Sequence, residues 1–166
     1  TLTRRQHITI GPILPNPITL DPRAPQSGHL DGLGHDVRLL AARLGQQNCE
    51  LPAEPLKVRA RPVEPDAASG PDADRLFKEQ RYLRIGEEIE RAIELQHRLK
   101  PIEVLYERQS LWSAAAVRAG RRLGIPVAVE LNAPLILEQR RYRKLVLEDA
   151  AVELEREVFS SADLIC

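Results

Sequence analysis

Two short polar stretches carry most of the chemistry legible in this sequence: Tyr106-Glu107-Arg108-Gln109-Ser110 and Glu130-Leu131-Asn132-Ala133-Pro134. A carboxylate at Glu107 can accept hydrogen bonds from hydroxyl groups or orient a cation. The Arg108 guanidinium has the fork that suits bidentate contact with phosphate. The competing reading pairs the two on the surface, where an ion pair is worth little. Asn132 both donates and accepts hydrogen bonds and cannot act as a proton-transfer base at neutral pH; otherwise it caps the helix that Pro134 opens. Glu130 is either a strand residue paired with a nearby arginine or a carboxylate facing a binding site. His7, His29, His35 and His97 show no metal-ligand spacing, and Cys49 and Cys166 are too few for a four-ligand zinc site. With no Walker loop, G-x-G-x-x-G, nucleophile elbow or C-x-x-C, the expectation is no cofactor and no metal, and no residue is named as catalytic.

These stretches need elements to hold them. From Asp72 no proline occurs before Pro101, and Tyr82, Ile85, Ile89, Ala92, Ile93 and Leu99 recur at helical spacing, predicting one long amphipathic helix. Ile102 to Tyr106 reads as a strand, Ser110 to Leu123 as a helix capped by Ser110 and ended by Gly124, and Pro126 to Leu131 as a second strand. Pro134 opens a helix expected to run to about Phe159, and Asp163 to Cys166 begins a last strand. Alternating strands and helices of this length predict an α/β fold: a Rossmann-like parallel sheet with helices on both faces. Ligands bind beyond the carboxyl ends of such strands, which is where both polar stretches fall. Glu107 and Asn132 are therefore expected close together at one edge.

The first half differs. Ten of the 13 prolines lie between Pro12 and Pro71, and all six aromatic residues follow them. Residues 1–32 read as extended coil with one short strand at His7 to Ile10. Gly34 to Arg43 is a buried strand or a short helix, and Leu56 to Val63 alternates like a half-buried strand. The division expected is an irregular, poorly ordered segment over 1–33 and a partial lobe over 34–166, lacking its first strand and helix.

Across 166 residues, 24 basic and 24 acidic side chains give a formal net charge of +0, without the positive field of a dedicated nucleic-acid binder. No apolar run approaches the ~20 residues of a membrane span, and no leader segment is visible. A reducing compartment is the default for two distant cysteines. Twenty arginines against four lysines, with abundant Ala and Pro, fit a GC-rich bacterial genome. The absence of Met makes the sequence read as a fragment. The run Glu138 to Lys144 is a solvated helix face, or a contact to anionic lipid or a partner lobe. Trp112 and Tyr142 read as core or interface aromatics rather than platforms for stacking a ligand.

With Leu105-Tyr106-Glu107-Arg108-Gln109-Ser110-Leu111-Trp112, Arg121-Arg122-Leu123-Gly124-Ile125-Pro126-Val127 and Glu130-Leu131-Asn132-Ala133-Pro134-Leu135 in place, the sequence resembles the N-terminal, acceptor-side Rossmann-like domain of bacterial GT4-type glycosyltransferases of the GT-B fold. The likeness covers about Phe77 to Cys166, and Gly34-His35-Asp36-Val37 is similar to the G-H-E-V that opens that lobe's second strand. It implies transfer of a sugar from a nucleotide-sugar donor to a sugar or lipid-linked acceptor, in envelope or polysaccharide assembly, with no obligatory metal. It also implies a cytoplasmic location with peripheral contact at the inner membrane. Glu107, Arg108, Glu130 and Asn132 become the candidate substrate-binding residues, Arg108 toward a donor phosphate. Many GT4 enzymes have a histidine where this chain has Asn132. The donor would be held by a C-terminal lobe that these residues do not include, so that this chain alone is expected to be inactive. The alternative is a non-catalytic α/β module that binds a ligand or a protein in the same crevice.

Overall fold

The computed structural model describes residues 6–10, 36–41, 53–55 and 71–166, the first three groups through their backbone. Ten elements occur among them. Strands β1 (Gln6–Ile10), β2 (Asp36–Ala41) and β3 (Ala53–Pro55) precede helix α1 (Pro71–Leu99). Then come β4 (Val104–Arg108), α2 (Ala115–Leu123), β5 (Val127–Glu130), α3 (Leu135–Tyr142), α4 (Glu148–Ser161) and β6 (Leu164–Ile165). All six strands form one parallel sheet in the order β3-β2-β1-β4-β5-β6. The order runs outward from β1 in one direction and from β4 in the other, which is the Rossmann arrangement with its reversal between β1 and β4.

The neighbourhood of β4 and β5 agrees with the sequence reading: they pair in parallel, Leu105 opposite Val127 and Arg108 opposite Glu130. Asp36–Ala41 resolves as strand rather than helix. The short strand expected at His7 to Ile10 forms as β1, and because Gln6–Ile10 lies inside the sheet between β2 and β4, the expected loss of the first strand is corrected. A strand in that place has partners on both sides for its backbone groups, which a reading of local breakers cannot supply. The rest of 1–33, the predicted strand at Leu56 to Val63, and the connections β1–β2 and β2–β3 lie outside the described residues.

α1, α2 and α4 form one packed layer over the sheet, with Ile85, Ile89 and Ile93 of α1 buried against Val117 of α2, Leu105 of β4 and Val127 and Val129 of β5. Tethers between the helices are ionic: Arg118 on α2 grips Glu157 on α4 bidentately at 2.9 and 2.6 Å, and Arg122 reaches Glu90 and Glu94 on α1. α2 comes so close to β5 that a Cβ on Gly120 would stand 2.3 Å from Val127 Cγ2 and 2.8 Å from the Ile125 carbonyl oxygen. Only glycine fits there. Gly124 ends α2 as expected, at φ 68°, with its own N–H and that of Ile125 both donating to the Gly120 carbonyl.

The helix expected from Pro134 to about Phe159 is two helices. The break is built around Glu79, a fully buried residue of α1. Its carboxylate accepts the backbone N–H groups of Val146 (3.1 Å) and Leu147 (2.8 Å), and Arg75 Nε at 2.9 Å. Those N–H groups stand at the start of α4, where a negative charge is favoured by unpaired donors and the helix dipole. An acid 67 positions away in sequence thus sets the helix boundary.

Candidate functional site

Alternation along β4 decides where its polar residues go. Leu105 and Glu107 face the helix layer and are buried, whereas Tyr106 and Arg108 face the other way. On β5, Val127 and Val129 are buried with the first set, and Glu130 lies opposite Arg108. The strand ends two residues later than the sequence predicts, and this carries Glu107 into the layer instead of the crevice.

Glu107 is 2% exposed. Its Oε1 accepts the Ser113 hydroxyl at 2.8 Å and its Oε2 accepts the Ala116 N–H at 3.3 Å. Ser113 Oγ in turn accepts the Ala115 N–H at 3.2 Å, so Ser113 and Glu107 together supply acceptors for two N–H groups in the first turn of α2. The predicted cap, Ser110, lies earlier, in the turn closed by Ser113 N–H to the Ser110 carbonyl at 3.1 Å. Burial pushes the Glu107 carboxyl up to about 7, against the two hydrogen bonds that favour its ionised form. Glu130 accepts the Tyr106 hydroxyl at 2.5 Å, with Arg108 Nε 3.8 Å from its other oxygen. Burial first, and then that bond to Glu130, push the Tyr106 phenol upward and keep it neutral.

Beyond the carboxyl ends of β4 and β5, next to the reversal in strand order, opens a groove of about 580 Å³. Its floor and walls come from the β4–α2 loop (Gln109, Ser110, Leu111, Trp112) and the β5–α3 loop (Asn132, Ala133). α1 adds Arg75 and Tyr82; α3 adds Leu135, Glu138, Gln139 and Tyr142; Arg108 and Arg143 complete the lining. Of the four predicted site residues, the groove brings together Arg108 and Asn132. It is not lined by Glu107 or Glu130, and Glu107 and Asn132 do not share a surface. No hydrogen bond engages the Asn132 side chain among the described residues, and α3 has no side-chain cap, so the capping role does not apply. Trp112 is buried in the core with one side on the groove, while Tyr142 is 70% exposed.

Gln109 is the lining residue that sequence reasoning passed over. It is buried, its backbone N–H donates to the Glu130 carbonyl at 2.9 Å, and its Oε1 has no hydrogen-bond partner. Its place in the Tyr106 to Ser110 stretch was visible, but an orphaned amide oxygen has no sequence signal. A smaller hollow of about 270 Å³ between α1, α2 and α4 is lined by Arg118, Glu90 and Glu157, whose charges are spent on each other and on Arg122.

In the run from Glu138 to Lys144, Lys144 pairs with Asp72 (2.5 and 2.6 Å), Arg140 pairs with Glu148, and Arg141 lies 5.4 Å from the centroid of the Tyr142 ring. Much of this positive charge is thus committed locally. Among the described residues no three His, Cys, Asp or Glu side chains are grouped to hold a metal ion, and no helix is long and apolar enough to cross a membrane.

The comparisons with known proteins agree with this geometry. No curated protein matches the sequence at a significant level. In fold, the chain is similar to MurG of Acinetobacter baumannii, with a TM-score of 0.51 at 14% identity over 98% of this chain and 40% of that one. It is also similar to the glycosyltransferase SsfS6 of Streptomyces sp. SF2575, crystallised with thymidine diphosphate, with a TM-score of 0.50 at 18% identity over 97% of this chain and 46% of that one. The chain thus spans less than half the length of either protein. The glycosyl transferase 4-like domain matches residues 26–166, which hold β2 to β6 of the Rossmann-ordered sheet, and the chain belongs to that family of GT-B glycosyltransferase domains.

Proposed function

We propose that this chain is the acceptor-side lobe of a glycosyltransferase that moves a sugar from a nucleotide-sugar donor to an envelope or polysaccharide acceptor, free or lipid-linked. The observation that carries the reading is the groove at the ends of β4 and β5, where amides, aromatic faces and cations converge. Such a lining suits a polyhydroxylated ligand: amides exchange hydrogen bonds with hydroxyls, and rings cover the apolar faces of a sugar. Arg108 and Asn132 contact substrate, Arg108 as a bidentate partner for a phosphate on donor or acceptor. Glu107 and Glu130 act one step behind, holding the α2 loop and the Tyr106–Arg108 pair. The donor is held by a second lobe, so the 166 residues alone transfer nothing. The lobe works in the cytoplasm, and Arg143, next to the exposed Tyr142, is its contact with the inner-membrane surface.

The alternative, a non-catalytic α/β binding module, is favoured by one observation: neither carboxylate at the two strand ends faces the groove. Both readings are tested on the ¹⁵N-labelled chain titrated with simple methyl glycosides. Shifts confined to 108–112 and 131–135 that weaken about fivefold or more in Asn132→Ala, with unchanged melting, support the acceptor site. Glycoside-independent spectra would leave the binding module.

A further inference from the structure

Glu107 is buried and ionisable, and its two partners are neutral: the Ser113 hydroxyl at 2.8 Å and the Ala116 N–H at 3.3 Å. In the sheet it stands between Ile10 of β1 and Val129 of β5, both apolar residues. The charged groups of the helix layer are engaged with one another, Arg118 of α2 with Glu157 of α4 and Arg122 of α2 with Glu90 and Glu94 of α1. Among the described residues no cation pairs with Glu107. Burial without a counter-charge disfavours the ionised form, which is why the carboxyl is pushed up to about 7.

Ionisation leaves a buried, uncompensated charge that is relieved by access to water. The fold decides which neighbour can give way. β4 is laddered on both sides, to β1 and β5, and α2 is helical from Ala115 onward. Between them runs an irregular connection whose Ser113 holds the carboxylate and closes a turn onto the Ser110 carbonyl at 3.1 Å. Segments of this kind open before laddered strands do. The same connection supplies Gln109, Ser110, Leu111 and Trp112 to the groove lining.

We propose that Glu107 makes the groove pH-sensitive: while its carboxyl is neutral the β4–α2 connection stays packed and the groove keeps its wall, and once it is ionised the connection loosens and the groove loses affinity for its ligand. The loss of affinity rests on the reading of the groove as the acceptor site, whereas the loosening does not. A ligand seated against the connection favours the packed, proton-bound form, so its binding takes up a proton near neutral pH.

Trp112, the sole tryptophan of the chain, lies in the connection next to Ser113 and is 4% exposed, so its fluorescence reports the loosening directly. With the full 166-residue chain taken across neutral pH, Trp112 emission should move to longer wavelength and acrylamide quenching should rise in a transition centred near pH 7, with far-ultraviolet circular dichroism unchanged. In Glu107→Gln the transition should be absent. If that variant does not fold, Ser113→Ala, which deletes a bond that favours the ionised form, should move the midpoint to higher pH. A flat wild-type profile, a transition that persists in Glu107→Gln, or a midpoint unmoved in Ser113→Ala overturns the proposal. Methyl β-glucoside, titrated on either side of the transition, should bind wild type more weakly on the alkaline side and Glu107→Gln equally on both. Equal binding by wild type on both sides overturns the link to the groove. A transition in Trp112 with no glycoside binding at any pH supports the loosening and removes the acceptor reading.

Discussion

Glu107 shows how far a residue's role depends on two positions of register. Its type and its place near a strand end suggest a binding carboxylate, but β4 continues to Arg108, and the side chain turns inward to the start of α2. The consequence is a pH-dependent stability of definite sign. Its pKa is raised in the folded state to about 7 from 4.5, so between those values the folded chain binds a proton that the unfolded chain has lost. Glu107 therefore contributes most below about pH 4.5, and that contribution is lost as the pH rises through about 7. Glu107→Gln, which keeps the neutral shape at every pH, should gain on wild type across this window. For every tenfold difference in proton affinity between the folded and unfolded carboxyl, the gain is about 1.4 kcal/mol, or roughly 3–6 °C in melting temperature for a chain of this size. Melting curves of both proteins across the range check this; a constant difference would place the carboxylate in water. The exposed places of Asn132 and Arg108 were legible from the sequence because the carboxyl ends of parallel strands and the loops beyond them reach the surface whatever the packing. Gln109 was not, because satisfaction of a hydrogen bond is a property of neighbours.

At the level of elements, β4, α2, β5 and the long α1 are written locally, in apolar periodicity, Pro101 and Gly124. The ends of α2 illustrate the limit. Its C-terminus follows from Gly124, while its N-terminus is set by Ser113 and by Glu107 from another strand, not by Ser110. The α3–α4 break is similar, since Glu79 supplies from α1 the acceptors that Val146 and Leu147 need. Contact between α2 and β5 depends on Gly120, whose absent side chain leaves room for Val127 and the Ile125 carbonyl. Gly120→Ala should gain helix propensity yet lose overall, by about 1–3 kcal/mol, because a backbone carbonyl cannot give way as a side chain can. Urea unfolding measures the loss; a variant as stable as wild type would mean that the helix can lift from the strand.

For the whole molecule, the reading as one lobe makes a sharp expectation. Calorimetric titration of the 166-residue chain with nucleotide-sugars should give no saturable heat, because that reading assigns the donor site to a second lobe; specific, competable binding here would overturn the assignment. The sequence by itself determined the α/β class, the parallel β4–β5 pair and the family resemblance, because hydrophobic period and strand-end polarity act over a few residues. Only the tertiary structure decided that Gln6–Ile10 stands between β2 and β4 and that Glu107 faces the helix layer. It also decided that one helix becomes two and that the groove presents Gln109, Arg108 and Asn132. Each of these depends on partners tens of residues distant, which meet only when the sheet is assembled.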